Sequence, residues 1–366
     1  MKQTKTELHT HLIGILSANE FVDFIKKLKI NEIIIDDKII PTEKLLEEPF
    51  YSMIQIKDGE SVNYSRMNSY YANRTEILKY IVNKYYEKYG ISKSKLNIYI
   101  YNELINESLK SLIKNGVEYV EISYSFFDRI SKFVIAEDIS NKIKCRFLLS
   151  TDRSNPLHSE ETGVQTFEKA TKDLSKAMKS GNCVGFDIMG EERKLSQSEL
   201  NYNSNDSFMR KLELLINVLK NGDSTLRIHS GETNNSFINT ITILKMIDDI
   251  SAKFNIVIPP PEIRIGHGLY FDNNHEYIYL LKKFKCIIEI NASSNLLLGN
   301  VENIDSIPYR FYIQNDIPIV ISTDGHGLYN TNTKKEDKIA FSVLQNEELY
   351  DRIIQTDTEV IGKKGR

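Results

Sequence analysis

Two histidines separated by one residue, His9-Thr10-His11, close the first apolar run of the chain. In a strand, residues i and i+2 point to the same face, so two imidazoles at a strand end stand side by side and can grip one metal ion. The pair alone is a weak signal. Further along, however, His229 closes the run 225–230, His267 follows the run 263–266, and Asp324 follows the run 318–323. Three histidines and a carboxylate, with a position left for water, form a donor set suited to one catalytic zinc ion. Glu232 lies three residues past His229. A carboxylate beside a metal-bound water, and not on the metal, is placed for proton transfer. A single histidine at a strand end more often serves structure than ligation. Coincidence at the ends of four separate runs is far rarer. His158, in a polar loop, and His275, at a helix start, are expected at the surface.

The elements that must bring these residues together recur along the chain. Eight β-rich runs occupy residues 6–12, 117–125, 143–151, 183–188, 225–230, 263–266, 286–292 and 318–323. Helical patterns lie between most of them, at 18–28, 96–115, 164–180, 206–221 and 239–253, and Gly116, Gly181 and Gly222 stand where a C-cap glycine is expected. Strands alternating with helices imply right-handed βαβ units and a parallel sheet. Eight units predict an α/β fold, a closed (β/α)8 TIM barrel in which all strand ends share one mouth. Residues 1–366 are expected to form one such barrel. Residues 36–90 are too long for a single crossover and predict an inserted lid or subdomain of short helices after strand 1. The end of the fourth run and the residues just after it, Val184-Gly185-Phe186-Asp187-Ile188-Met189-Gly190, carry no lysine to bridge two metals, which favours one metal. The tail after Thr331 is charged and predicted helical, fraying from Gly362.

Composition narrows the class. The net charge of −3 over 366 residues, with no long basic run, argues against binding extended nucleic acid. No stretch approaches the roughly 20 apolar residues of a membrane span. Three cysteines, Cys145, Cys183 and Cys286, form no C-x-x-C pair. With no apolar segment after Met1, they suggest a cytoplasmic protein with reduced thiols. Nothing in the residues specifies an oligomeric state.

The motifs Glu7-Leu8-His9-Thr10-His11-Leu12 with Gly14, 184–190, His229-Ser230-Gly231-Glu232, 264–268, 289–295 and Ser322-Thr323-Asp324 resemble, in order, those of the adenosine deaminase family of metal-dependent barrel hydrolases. The resemblance spans nearly the whole chain. It implies that His9, His11, His229 and Asp324 bind zinc and that Glu232 protonates the purine ring at N1. It further implies that His267 and Asp324 orient the hydroxide and that the Gly190 backbone meets the purine edge. The implied reaction is hydrolytic deamination of an adenine nucleoside or nucleotide to the inosine form, with release of ammonia. Two alternatives share the residues: a deaminase of another aminated ring, and a nucleotide-binding sensor or assembly subunit with weakened catalysis. The pairing of Glu232 with His267 argues against the second.

The departures concern substrate. Family members acting on free adenosine carry Asp two residues after the second histidine, where it meets the ribose; here that residue is Ile13. They carry a second Asp after the zinc-binding one, at purine N7; here Gly325 and then His326 follow. His326 is therefore a candidate for the N7 contact. Arg66 and Arg74, in the insertion, are candidates for a phosphate, because guanidinium suits bidentate contacts. A phosphorylated adenine nucleotide is expected to be preferred over adenosine.

Overall fold

Eight of the strands in the computed structural model form one sheet, and every neighbouring pair in it is parallel. The structure describes residues 3–364 except 36, 58, 126–129, 131, 160–164, 201–206, 221–222, 234–236, 257–260 and 272–273. In chain order the strands are β1 (Thr6–His11), β2 (Glu32–Ile35), β3 (Lys38–Pro41), β4 (Tyr119–Tyr124), β5 (Lys144–Asp152), β6 (Cys183–Met189), β7 (Thr225–Ser230), β8 (Glu262–His267), β9 (Ile287–Ile290) and β10 (Ile319–Ile321). The sheet order is β1-β4-β5-β6-β7-β8-β9-β10. A parallel bridge between Thr10 and Asp324 brings its two ends together. There Asp324 N donates to His9 O at 2.7 Å, and His11 N donates to Asp324 O at 3.1 Å. The result is the (β/α)8 barrel expected from the pattern, and its closing bonds run through the first histidine pair and the last acid.

The strands are β-branched and apolar because they are covered on the outside by helices. Their buried members include Ile122, Leu149, Phe186, Ile228, Ile265 and Ile288. Helices Phe167–Lys179, Phe208–Leu219, Phe237–Lys253 and His275–Lys283 supply the outer layer after β5, β6, β7 and β8. Helix α1 (Ala18–Lys27) begins at Ser17, which with Glu20 makes a reciprocal capping box. It buries Phe21, Val22, Phe24 and Ile25, the i, i+3, i+4 spacing of one helical face. Gly116 and Gly181 end their helices with φ of 87° and 77°, as C-cap glycines do. Val164, Asp206 and Gly222, expected at helix ends, lie outside the described residues. The C-terminal helices Thr333–Leu344 and Glu347–Lys364 form as anticipated, and Gly362–Lys364 remain helical rather than frayed. The three cysteines are free and buried. No helix among the described residues is long and apolar enough to cross a membrane.

The segment after β1 departs from the expected group of short helices. It holds the antiparallel hairpin β2–β3 and the short helix α2 (Tyr51–Ile54). These are followed by the 26-residue helix α3 (Tyr64–Tyr89) and then α4 (Lys93–Lys114). Helix α3 starts at Asn63, whose side chain accepts from Arg66 N, and stops at Gly90 with φ of 65°. Ile77, Leu78, Ile81 and Val82 of α3 pack into the core, alongside Leu104, Ile105, Leu109 and Leu112 of α4.

Arg74 of α3 explains how this helix is bolted to the barrel, and it corrects the phosphate expectation. The residue is fully buried. Its Nε donates to Ile54 O at 2.8 Å, and Nη1 donates to Ile13 O at 3.0 Å and Leu16 O at 2.7 Å. The guanidinium also lies 5.1 Å over the Phe21 ring. With these donors spent on backbone carbonyls, Arg74 is turned away from ligand. Arg74→Ala is expected to destabilise the fold by about 3 kcal/mol or more, since each orphaned buried acceptor costs about 1–3 kcal/mol. A loss below about 1 kcal/mol in denaturant unfolding would contradict this role.

Candidate active site

The C-terminal ends of the barrel strands carry the reactive residues to one mouth. His9 and His11 come from β1, His229 from β7, His267 from β8, and Asp324 from the turn after β10. The rings of His9 and His229 are 4.5 Å apart between centroids, and His267 lies 5.0 Å from each. His11 Nε2 is 3.4 Å from Asp324 Oδ1, and His9 Nε2 is 3.8 Å from the same oxygen. One potential ligand atom from each of His9, His11 and Asp324 lies within 4.8 Å of the others, and the same holds for His11, Asp187 and His229. Gly266 makes this crowding achievable, since a Cβ there would stand 2.7 Å from His9 Cε1. His267 and Asp324 adopt φ of 74° and 65°. Such left-handed conformations cost side-chain-bearing residues roughly 1–3 kcal/mol each and cluster where a site is held in place.

Contacts at the ring nitrogens orient the imidazoles. His9 Nδ1 contacts Glu289 Oε2 at 3.0 Å and Asn291 Nδ2 at 3.2 Å. That leaves His9 Nε2 buried with no hydrogen-bond partner among the described residues. His229 Nε2 lies against Asp187 Oδ1 at 3.3 Å, and its Nδ1 is 3.2 Å from His267 Nε2. A metal-binding histidine is commonly oriented as His9 is, through its other ring nitrogen. Burial pushes the histidines down: His11 to about 4, His229 to about 3, His9 well below its ordinary value, and His267 below as well. Neutral imidazoles result, and only the neutral form offers a lone pair to a metal.

Glu232 sits on the same cavity with its carboxyl pushed up to about 8, first by burial and then by the nearby charges of Asp324 and Glu192. Its Oε1 is 3.8 Å from His267 Nε2. The site therefore holds a carboxylic acid that keeps its proton at neutral pH, close to neutral imidazoles. Asp324 is raised from its usual value, chiefly by burial.

The cavity itself measures about 310 Å³. Ile13, Gly190, Asp152, Ser123 and Ser150 line it along with His11, His229, Glu232, His267 and Asp324. One wall is the inserted helix: Tyr64, Met67, Asn68, Tyr71 and Thr75 project from a single face of α3, at the spacing of successive turns. Gly325 has a steric reason, because a Cβ there would lie 2.9 Å from both Tyr71 Oη and Tyr329 Cε2. Those two tyrosines fill the space a larger residue would need.

Three expected substrate contacts are absent from this lining. Arg74 is committed as described. Arg66 lies outside the cavity lining, its Nε on Tyr70 Oη at 3.2 Å and its Nη2 on Ser52 O at 3.1 Å. His326 is buried outside it, with Nε2 3.1 Å from Asn115 Nδ2. The expected surface histidine His158 is exposed and pairs with Glu168 at 2.9 Å.

Beneath the histidines lies a charged layer that the sequence reading missed. Arg227 Nη2 pairs with Asp187 at 2.8 Å, and Arg227 Nη1 is 3.5 Å from Glu289. Arg264 binds Glu121 at 2.8 Å and Glu289 at 3.3 Å. All five are fully buried. Burial works to raise Asp187, but Arg227 and then His229 outweigh it and hold the carboxyl well below the usual range. The available signal was a charged residue inside an apolar run, as in Phe186-Asp187-Ile188, since a buried charge demands a partner.

A parallel barrel with neutral histidines and acids converging at its C-terminal mouth has the architecture of a metal-dependent hydrolase. The chain matches the adenosine deaminase family model over residues 54–353 and belongs to that family. Adenosine deaminase from Plasmodium gallinaceum is 26% identical over 345 residues, covering 91% of this chain and 79% of that protein. The fold is shared with the N6-mAMP deaminase of arabidopsis, at a TM-score of 0.59, 20% identity, and coverage of 96% of this chain and 91% of that one. It is shared also with arabidopsis ADAL complexed with IMP, at a TM-score of 0.57, 17% identity, and coverage of 99% and 98%.

Proposed function

We propose that this chain is a zinc-dependent hydrolase that converts an adenine nucleoside or nucleotide to its inosine form, with preference for the nucleotide. The observation that carries this reading is the buried, unsatisfied Nε2 of His9 beside Asp324, with His11 and His229 grouped around them and with His11, His229 and Asp324 lining the same cavity as the raised acid Glu232. Imidazole with one carboxylate suits zinc. His9, His11, His229 and Asp324 would hold the ion, which when bound supplies a water acidic enough to lose its proton near neutral pH. Glu232 holds a proton for the purine ring nitrogen N1. His267, 3.8 Å from Glu232, and Asp324 orient the attacking oxygen. In the balance, water oxygen replaces the exocyclic amine at C6, and ammonia leaves. Gly190 presents its backbone to the purine edge from the cavity wall.

Three observations support the phosphorylated substrate. Ile13 lines the cavity as an apolar residue, so no carboxylate there repels a 5′-phosphate. Tyr71 and Tyr329 leave no room for a carboxylate at 325. Two proteins of the same fold are an N6-mAMP deaminase and one complexed with IMP. The test is kcat/KM for amine release from adenosine, 2′-deoxyadenosine, AMP, N6-methyl-AMP and ATP, with metal content measured on the same preparation. A 5′-phosphorylated compound is expected to be turned over best. A wide margin in favour of adenosine would overturn the nucleotide preference, and no amine release from any adenine compound would overturn the function.

A further inference from the structure

The loop after β6 reaches under the turn that carries Glu232. Glu192, two residues past Gly190, is buried and takes several donors at once. Its Oε2 accepts from Glu232 N at 2.9 Å. Its Oε1 accepts from Gly231 N at 3.2 Å, Ser230 Oγ at 3.1 Å and Asn239 Nδ2 at 3.4 Å. Asn239 is itself fixed, donating to Arg193 O at 2.8 Å, and Ser230 Oγ meets Thr240 Oγ1 at 2.7 Å. From the opposite side, Gly231 O accepts from both Leu269 N and Tyr270 N at 2.8 Å. The turn 230–232 is thus gripped between the β6 loop and the β8 loop, and among the described residues Glu192 is the side-chain acceptor of both the Gly231 and the Glu232 amides.

We infer that Glu192 is a positioning residue for Glu232: its carboxylate clamps the Gly231 and Glu232 amides and so sets where the Glu232 side chain meets the substrate ring. The inference rests on the reading of Glu232 as the proton donor. A carboxylate suits the task because it accepts through both oxygens, whereas backbone amides near the end of a strand have no sheet partner left. An amide side chain offers one accepting oxygen only, so Glu192→Gln turns an N–H toward either Gly231 N–H or Glu232 N–H. Glu192→Asp keeps the charge but is one methylene too short to reach both amides. A displacement of about 1 Å in a catalytic group can cost about 10²-fold in rate.

The test is a double-mutant cycle on kcat, using Glu192→Gln and Glu232→Gln singly and together, with metal content and Tm measured on each protein. Glu192→Gln and Glu192→Asp are each expected to lower kcat by about 10²-fold with metal retained. In the Glu232→Gln background, Glu192→Gln is expected to change kcat less than about threefold, because a clamp matters only while the acid it aims is present. Equal losses in both backgrounds, or loss of metal alongside kcat, would overturn the inference. Full activity of Glu232→Gln would instead overturn the reading of Glu232, which separates the two failures. Hydrogen exchange on the wild-type protein needs no variant: the Gly231 and Glu232 amides should exchange as slowly as those inside β7, and rapid exchange would overturn the clamp.

Discussion

Replacing Glu232 by glutamine is expected to lower turnover about 10²–10⁴-fold, the usual contribution of a general acid–base group, while the metal stays bound. The glutamine has nearly the same shape and keeps much of the hydrogen bonding, so it leaves His9, His11, His229 and Asp324 untouched. What it lacks is a transferable proton. Glu232 holds that proton because burial, then the charges of Asp324 and Glu192, raise its carboxyl to about 8. The sign of the pH effect follows. The protonated acid is present below about pH 8 and is lost as pH rises through that value, so wild-type kcat/KM should fall on the alkaline side there. The glutamine variant should lack that limb, because it has nothing to titrate at the position. Ammonia release measured with metal content decides the matter. A variant within threefold of the wild-type rate removes Glu232 from the mechanism.

How much of this was legible in residues alone depends on period and burial. The eight β-rich runs correspond to the eight barrel strands within a few residues, because strands covered by helices are written as short apolar stretches. The placement of His9, His11, His229, His267 and Asp324 at one mouth followed, since parallel strands share their C-terminal ends. The insertion was harder. Helix α3 buries only one narrow face, and its polar residues, Asn63 to Arg74, resemble a loop until their spacing is seen against a partner. The hairpin β2–β3 is two four-residue strands with no strong turn signal. Arg74 could be taken for a ligand-binding cation because sequence does not show which carbonyls it will meet. Asp187, Arg227 and Glu289 stayed hidden for a related reason. A charge in an apolar run is informative only once its partner on another strand is known, and those partners lie 40 or more residues away.

His229→Ala is expected to strip most of the metal and, with it, the activity. The imidazole stands between His9 at 4.5 Å, His267 at 5.0 Å and His11 at 5.7 Å, so its removal opens the middle of the donor cluster. Loss of a residue that merely orients a ligand costs about 10–100-fold in metal affinity, and loss of a ligand should cost more. Two further consequences separate ligation from support of the fold. The variant should keep the barrel, because β7 is held by its ladder to β6 and β8 and by the apolar cover on Leu226 and Ile228. Its freed Asp187 carboxylate retains Arg227 at 2.8 Å, so no uncompensated buried charge is left behind. Added imidazole, which can occupy the vacated space, should restore part of the metal and part of the rate. The measurement is zinc content by elemental analysis, with circular dichroism on the same sample. Full zinc occupancy in a folded His229→Ala protein would show that the ion is held without this residue, by the His9, His11 and Asp324 group alone.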